Sequence, residues 1–204
     1  MLFEDTYRTL NEISQDVFKD KGSKFIGIAY PVTTEEQVKD AIKAVKKEYF
    51  DATHHCYAYQ LGFDKTAFRV NDDCEPSGTA GRPIFGQIQS LDLTQILVVV
   101  VRYYGGTKLG VSGLINAYKT TARAALDKGK IVEKVVKEVY QIHFLYEQMN
   151  DIMHLLKEQH VDILAAKYES ECELEVAIRR NSSGVLTDAL RKRDNVRYLY
   201  IKSQ

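Results

Sequence analysis

No tryptophan occurs among the 204 residues, and cysteine, proline and methionine are each present only three times. Cys56, Cys74 and Cys172 are too scattered for a CxxC metal or redox motif, and any disulfide scheme leaves one unpaired. They read as reduced thiols filling small apolar sites. Net charge is also missing, because 28 basic residues balance 28 acidic ones. The balance is local as well: residues 1–134 carry 18 basic and 17 acidic side chains, residues 135–204 carry 10 and 11. Wholesale electrostatic capture of nucleic acid is therefore not supported, which leaves room for a local basic patch. Long apolar runs are absent too. The longest, Ile96 to Val101, is six residues, far short of the ~20 that a membrane helix needs. The opening MLFEDTYRTL is acidic and polar, unlike a signal peptide. These absences predict a cytoplasmic protein with no membrane association, and no cofactor or metal is expected.

What remains is an ordinary globular composition, 45% hydrophobic and 27% charged. The pattern is α+β, in two domains over residues 1–132 and 137–204, divided by the charged, Gly-bearing stretch 128–137. In the first, Lys24–Tyr30 reads as a strand after a turn at Lys21-Gly22. Thr33 and Glu36 have capping-box spacing ahead of a helix with Val38, Ala41, Ile42 and Val45 on one side. Lys39, Lys43, Lys46 and Lys47 fall outside that stripe and read as a solvated face. Strands follow at His55–Leu61 and Thr66–Asn71, then a helix with Pro83 in its first turn and Ile84, Phe85, Ile88 and Leu91 inward. Ile96–Val101 is a strand buried on both faces. A helix carrying Leu114, Tyr118, Thr121, Ala122 and Ala125 ends near Gly129. The second domain reads βαββαβ, a ferredoxin-like order. Within it, Cys172, Leu174, Val176 and Ile178 alternate with Glu171, Glu173 and Glu175, which predicts a carboxylate row on an open sheet face. A helix capped by Asn181 or Ser182 follows. Any nucleic-acid contact of this domain would then use its basic end, Arg179, Arg180, Arg191, Lys192 and Arg193.

Most of the functional content lies between Asp72 and Tyr118, DDCEPSGTAGRPIFGQIQSLDLTQILVVVVRYYGGTKLGVSGLINAY. Two polar, Gly-rich turns flank the buried strand, and the loop between a strand and a helix is where α/β folds usually place ligands. The motifs DDCEPSGTAGRPI and VVVVRYYGGTKLGVSGLINAY, with KGSKFI from Lys21 and THHCYAY from Thr53, resemble the signature of the IMPACT/YigZ family. One departure is visible: Cys74 stands where the family usually has glycine. The resemblance implies a cytosolic protein linked to translation regulation. It also implies a first domain, an αβ sandwich, like the second domain of a small-subunit ribosomal protein. The second domain would be like the last domain of elongation factor G.

The candidate site is one loop-built surface holding Lys24, His54, Arg69, Asp72, Asp73, Glu75, Ser77, Arg82, Arg102, Tyr104 and Lys108. Arg82, Arg102 and Lys108 would meet phosphate or carboxylate groups and Tyr104 would stack, as on single-stranded RNA. The acids would meet a basic partner segment, or Arg69, Arg82 or Arg102 would neutralise them and staple the turns together. The predicted partner is RNA, the ribosome or a translation-regulatory protein, with Gly105–Gly110 as a possible seat for a small anion. Neither GxxxxGK[ST] nor GxGxxG fits there, so a nucleotide P-loop is excluded. The alternative is a hydrolase of a peptide or phosphate ester using Asp72 or Asp73, Ser77 and His54 or His55, although GxSxG, HExxH and EF-hand spacings are lacking. His54 and His55 are neighbours on a strand and so face opposite ways, one expected inward or toward a partner and the other solvated.

Overall fold

The computed structural model describes residues 5–204, so the first four residues of the acidic amino-terminal stretch lie outside the described part. The chain divides into two compact units. The first is Tyr7–Lys134; the second is residues 135–204 together with Asp5 and Thr6.

In the first unit, β2 (Ser14–Asp20), β3 (Ser23–Pro31), β4 (His54–Leu61), β5 (Ala67–Asn71) and β6 (Ile96–Tyr103) form a sheet in the order β2-β3-β6-β4-β5. Every neighbouring pair is antiparallel. This corrects the argument from α/β folds, because an antiparallel sheet has no parallel-strand switch point at which to seat a ligand. β1 (Thr6–Leu10) pairs with β7 (Ile131–Val135).

β6 is the middle strand, and its apolar run is covered on both sides. Ile96, Val98 and Val100 pack under α2 (Gly81–Ser90) and α3 (Gly110–Lys128), against Ile84, Ile88, Leu114, Tyr118 and Ala122. Leu97, Val99 and Val101 join Val38 and Val45 of α1 (Glu35–Glu48) on the other face. At roughly 1.5–3 kcal/mol for each fully buried aliphatic side chain, this strand anchors the whole layer stack.

The start of α1 differs from expectation by one residue. Thr34, not Thr33, accepts the first-turn amide, from Gln37, and the Gln37 side chain accepts from the Thr33 amide at 2.7 Å. The four lysines of α1 are exposed, as a solvated face requires.

The second unit contains β8 (Lys137–Leu145), α4 (Met149–Glu158), β9 (Asp162–Lys167), β10 (Glu171–Arg179), α5 (Arg180–Arg191) and β11 (Arg197–Ser203). The strand order β11-β8-β10-β9 is antiparallel throughout, the arrangement of a split βαβ. Cys172, Leu174, Val176 and Ile178 are buried with Ile152, Leu156, Leu186 and Leu190 of the two helices. α5 begins at Arg180 without a side-chain cap, before the expected Asn181 or Ser182.

Two charge expectations for this unit are revised. Glu171, Glu173 and Glu175 do alternate with the buried residues, but two of the three are compensated: Glu171 pairs with Arg197, and Glu173 meets Lys167 at 3.8 Å and Gln141 at 2.6 Å. Nor are the four arginines of the basic end free, although Lys192 makes no ion pair among the described residues. Arg179 is held by Asp5, Arg180 by Glu138, Arg191 by Asp188 and Arg193 by Asp151.

Candidate binding groove

Phe25 of β3, Arg102 of β6 and His54 of β4 stand opposite one another on three adjacent strands. Paired residues share a face, and Phe25 belongs to the core under α2 and α3. Arg102 and His54 therefore lie on that side, at the end of the sheet where the turns 72–82 and 102–110 meet. Together with Thr53, Glu75, Pro76, Tyr104 and the start of α3 from Lys108 to Val111, they line a groove of about 560 Å³, closed by Leu114.

Its floor is a buried ion pair. Arg102 Nη1 donates to Glu75 Oε1 at 2.5 Å, with the two side chains only 6% and 4% exposed. Tyr118 of α3 donates its hydroxyl to the same oxygen at 2.8 Å. The Arg102 guanidinium lies between two rings, 5.4 Å from the Phe25 centroid and 5.5 Å from that of Tyr104. Arg102 is thus the arginine that staples the turns, through Glu75. Behind it, the Cys56 sulfur sits 3.0 Å from the Asp72 carbonyl oxygen and 3.3 Å from the Tyr118 hydroxyl. Burial pushes both the thiol and the phenol upward, so each stays protonated. Cys56 is therefore a packing residue and not a nucleophile.

The two aspartates shape the first turn. Asp72 accepts the amides of Gly78, Ala80 and Gly81 at 2.8–3.0 Å, capping α2 from eight residues upstream, since Ala80 offers no side chain for the purpose. Burial pushes its carboxyl up, but those amides and the charge of Arg82 outweigh it and hold the group below the usual value of 3.8. A carboxyl lowered on folding stabilises the protein above its unfolded value, and that contribution is lost as the pH falls through the lowered one. Below about pH 4 the wild type should therefore lose stability more steeply than Asp72→Asn. Equal slopes in acid-titrated denaturation would show that the lock does not operate.

Asp73 accepts the His55 amide at 2.7 Å and lies 3.7 Å from Lys46. The carbonyl of Asp73 takes a hydrogen bond from His54 Nδ1 at 2.8 Å, which leaves Nε2 3.8 Å from Glu75. His55 donates from Nε2 to the Tyr49 carbonyl at 2.9 Å. The histidines do face opposite ways: His55 is buried, while His54 is part-exposed in the groove, and each is tied to a backbone oxygen.

Both Asp73 and Cys74 have positive φ, 42° and 69°. The position where the family usually has glycine is therefore left-handed here, a conformation costing an L side chain about 1–2 kcal/mol. Cys74 is exposed and contributes no packing to offset it. Cys74→Gly should stabilise the protein by about 0.5–1 kcal/mol after glycine's larger chain entropy is subtracted. A lowered denaturation midpoint would contradict this.

Of the eleven expected site residues, His54, Glu75, Arg102, Tyr104 and Lys108 line the groove. Asp72 and Asp73 buttress it from behind. Ser77 and Arg82 are exposed outside the lining, and Ser77 makes no hydrogen bond to either histidine among the described residues. The expected hydrolase constellation is consequently not assembled. Lys24 pairs with Tyr103, and Arg69 with Tyr59, so both stand on the α1 side of the sheet, away from the groove. Tyr118, Thr53, Pro76 and the apolar start of α3 were not foreseen. Tyr118 and Leu114, four apart on one helix face, were legible only as core.

The family model of the Impact N-terminal domain matches residues 21–126. The chain is 30% identical over 183 residues to the IMPACT family member YvyE of Bacillus subtilis (strain 168), covering 90% of this chain and 84% of that one. It is 34% identical over 160 residues to the IMPACT family member YigZ of Escherichia coli (strain K12), covering 78% of each. A crystal structure of a hypothetical protein superposes with a TM-score of 0.74 at 30% identity, over 97% of this chain and 98% of that one.

Proposed function

The chain belongs to the IMPACT family, and from that premise we propose that it is a cytosolic, translation-associated binding protein that engages RNA through the groove between its two Gly-rich turns. The observation that carries this reading is the meeting of those turns across the Arg102–Glu75 pair. It leaves a concave surface with Tyr104, 47% exposed, and Lys108 at its rim. An aromatic ring beside a cation is the combination by which proteins hold unpaired bases and their phosphates. The family resemblance supports reading the first unit as like the second domain of a small-subunit ribosomal protein and the second as like the last domain of elongation factor G. Both comparisons point to work on or near the ribosome. The paired arginines of the second unit leave the first unit as the better source of phosphate contacts.

No described helix is long and apolar enough to cross a membrane. The test is co-sedimentation of the purified protein with ribosomes and total RNA at low and raised salt. A site with few phosphate contacts predicts retention that weakens with salt along a shallow slope. Tyr104→Ala combined with Lys108→Glu should lower retention at least about tenfold, while Arg82→Glu, outside the lining, leaves it unchanged. Retention that survives ribonuclease and is indifferent to the groove variant would place the contact on a protein partner and overturn the RNA reading.

A further inference from the structure

The sheet of the second unit ends at β9, which pairs with β10 on one side and with no strand on the other among the described residues. All six of its residues, DILAAK, are exposed. A bare edge strand offers backbone donors and acceptors to a further strand, and proteins usually blunt such edges with a proline or a charge inside the run. β9 has neither between Asp162 and Lys167, where the run is Ile-Leu-Ala-Ala. Beside it, Val161 and Ile163 join Met153 and Leu156 of α4 around an apolar hollow of about 520 Å³.

The two ends of β9 carry opposite charges, and their placement decides which strand fits. Asp162 stands opposite Ala177 of β10, and Lys167 opposite Glu173. Ala177 and Glu173 lie on one face of β10, so Asp162 and Lys167 share the open face of the sheet. In a regular strand these two positions would fall on opposite faces. The register shift at Leu164 supplies the extra residue that brings them together. Ile163 and Ala166, opposite Val176 and Leu174, share the helix face.

In an antiparallel pairing of β9 with its own copy, one register aligns the whole strand. It sets Asp162 against Lys167 at both ends on the open face, and Ile163 against Ala166 on the helix face. Tyr168, 56% exposed, follows Lys167 and by alternation falls on the helix face. In the same register it meets Val161 of the other copy, at the mouth of the hollow. Asp162 also pairs with Lys137, and Lys167 with Glu173, so charges would alternate across the seam. The far edge of the sheet is different: β11 carries Arg197 and Lys202 and no acidic residue, so it is not complementary to itself.

We propose that β9 docks antiparallel on β9 of a second copy of this chain, joining two four-stranded sheets across a two-fold axis. Every contact is then made twice, as a closed dimer requires. With one strand pair at its centre, the contact belongs to the small, transient class of interfaces and dissociates on dilution. It stands independently of the RNA reading.

Sedimentation equilibrium of the full chain at low ionic strength, up to about 1 mM, should show monomer and dimer in exchange. Asp162→Lys sets lysines against each other at both ends, and Lys167→Asp sets aspartates. Each variant alone should therefore dimerise at least about tenfold more weakly. Mixed in equal amounts, the two should form a heterodimer, because each then meets opposite charge at both ends. Tyr168→Ala should weaken the unmixed dimer about tenfold. In the wild type, amide hydrogen exchange should slow with concentration at β9 and not at β11. A chain that stays monomeric throughout would overturn the proposal. So would a dimer that survives both charge reversals, or weakened single variants that fail to associate when mixed. Concentration-dependent protection at β11 instead of β9 would also overturn it.

Discussion

Glu75→Ala is expected to lower the unfolding free energy of the first unit by about 3–5 kcal/mol. The magnitude comes from what the substitution leaves behind more than from what it removes. Arg102 is always charged and almost fully buried between Phe25 and Tyr104, so without Glu75 it has no counter-charge. The Tyr118 hydroxyl, equally buried, loses its acceptor at the same time. Glu75→Gln keeps an oxygen for Tyr118 and removes only the charge, so it should fall between the wild type and Glu75→Ala. The decisive measurement is the double variant Glu75→Ala with Arg102→Met. Removing both charges abolishes the orphan, so the double variant should be less destabilised than the sum of the single losses, and closer to wild type than Glu75→Ala alone. Strictly additive losses, or a Glu75→Ala protein within about 1 kcal/mol of wild type, would mean the turns are held by something else.

The same pair illustrates how far the sequence could be read. β6 was legible because six consecutive apolar residues can be satisfied only by covering both faces of a strand. β10 was legible because its alternation has one reading, with Cys172, Leu174, Val176 and Ile178 inward. Four residues of the groove, Glu75, Arg102, Tyr104 and Lys108, were found because the Gly-rich turns and the strand end between them are contiguous in sequence, whereas His54 came from the separate THHCYAY motif. Lys24 and Arg69 were misplaced because strand parity depends on register, and a shift of one residue moves a side chain to the other face. Composition does not encode that register. Glu75 as the acceptor of Tyr118 was invisible for another reason: the two residues are 43 apart, and a tyrosine in an apolar helix stripe looks like any core aromatic. The cap of α1 slipped because the run TTEEQ satisfies the capping pattern twice, as Thr33 with Glu36 and as Thr34 with Gln37. Only the backbone decides between them.

Gly105→Ala carries the other large expected effect. The hairpin between β2 and β3 turns at Lys21 and Gly22, both with positive φ, 43° and 82°. The chain leaving β6 passes directly over that turn. A Cβ on Gly105 would lie 1.9 Å from the Gly22 carbonyl carbon and 2.2 Å from both its oxygen and the Ser23 nitrogen. Those are backbone atoms, so no rotamer relieves the clash and one of the two turns must move. The Gly105 amide also donates to Ser23 Oγ at 3.1 Å, and the same oxygen lies 3.5 Å from Arg102 Nη2. Separating the turns therefore disturbs the floor of the groove as well as its rim. The loss should be about 3 kcal/mol or more, at the upper end of overpacking costs. Gly106 is the internal control. It too has positive φ, 82°, but a Cβ there meets nothing within 4 Å. Gly106→Ala should therefore cost only the left-handed strain of about 1–2 kcal/mol. Denaturation midpoints of the two variants, measured side by side, separate contact from conformation. If Gly105→Ala is tolerated as well as Gly106→Ala, the two turns do not touch in solution and the groove loses its support.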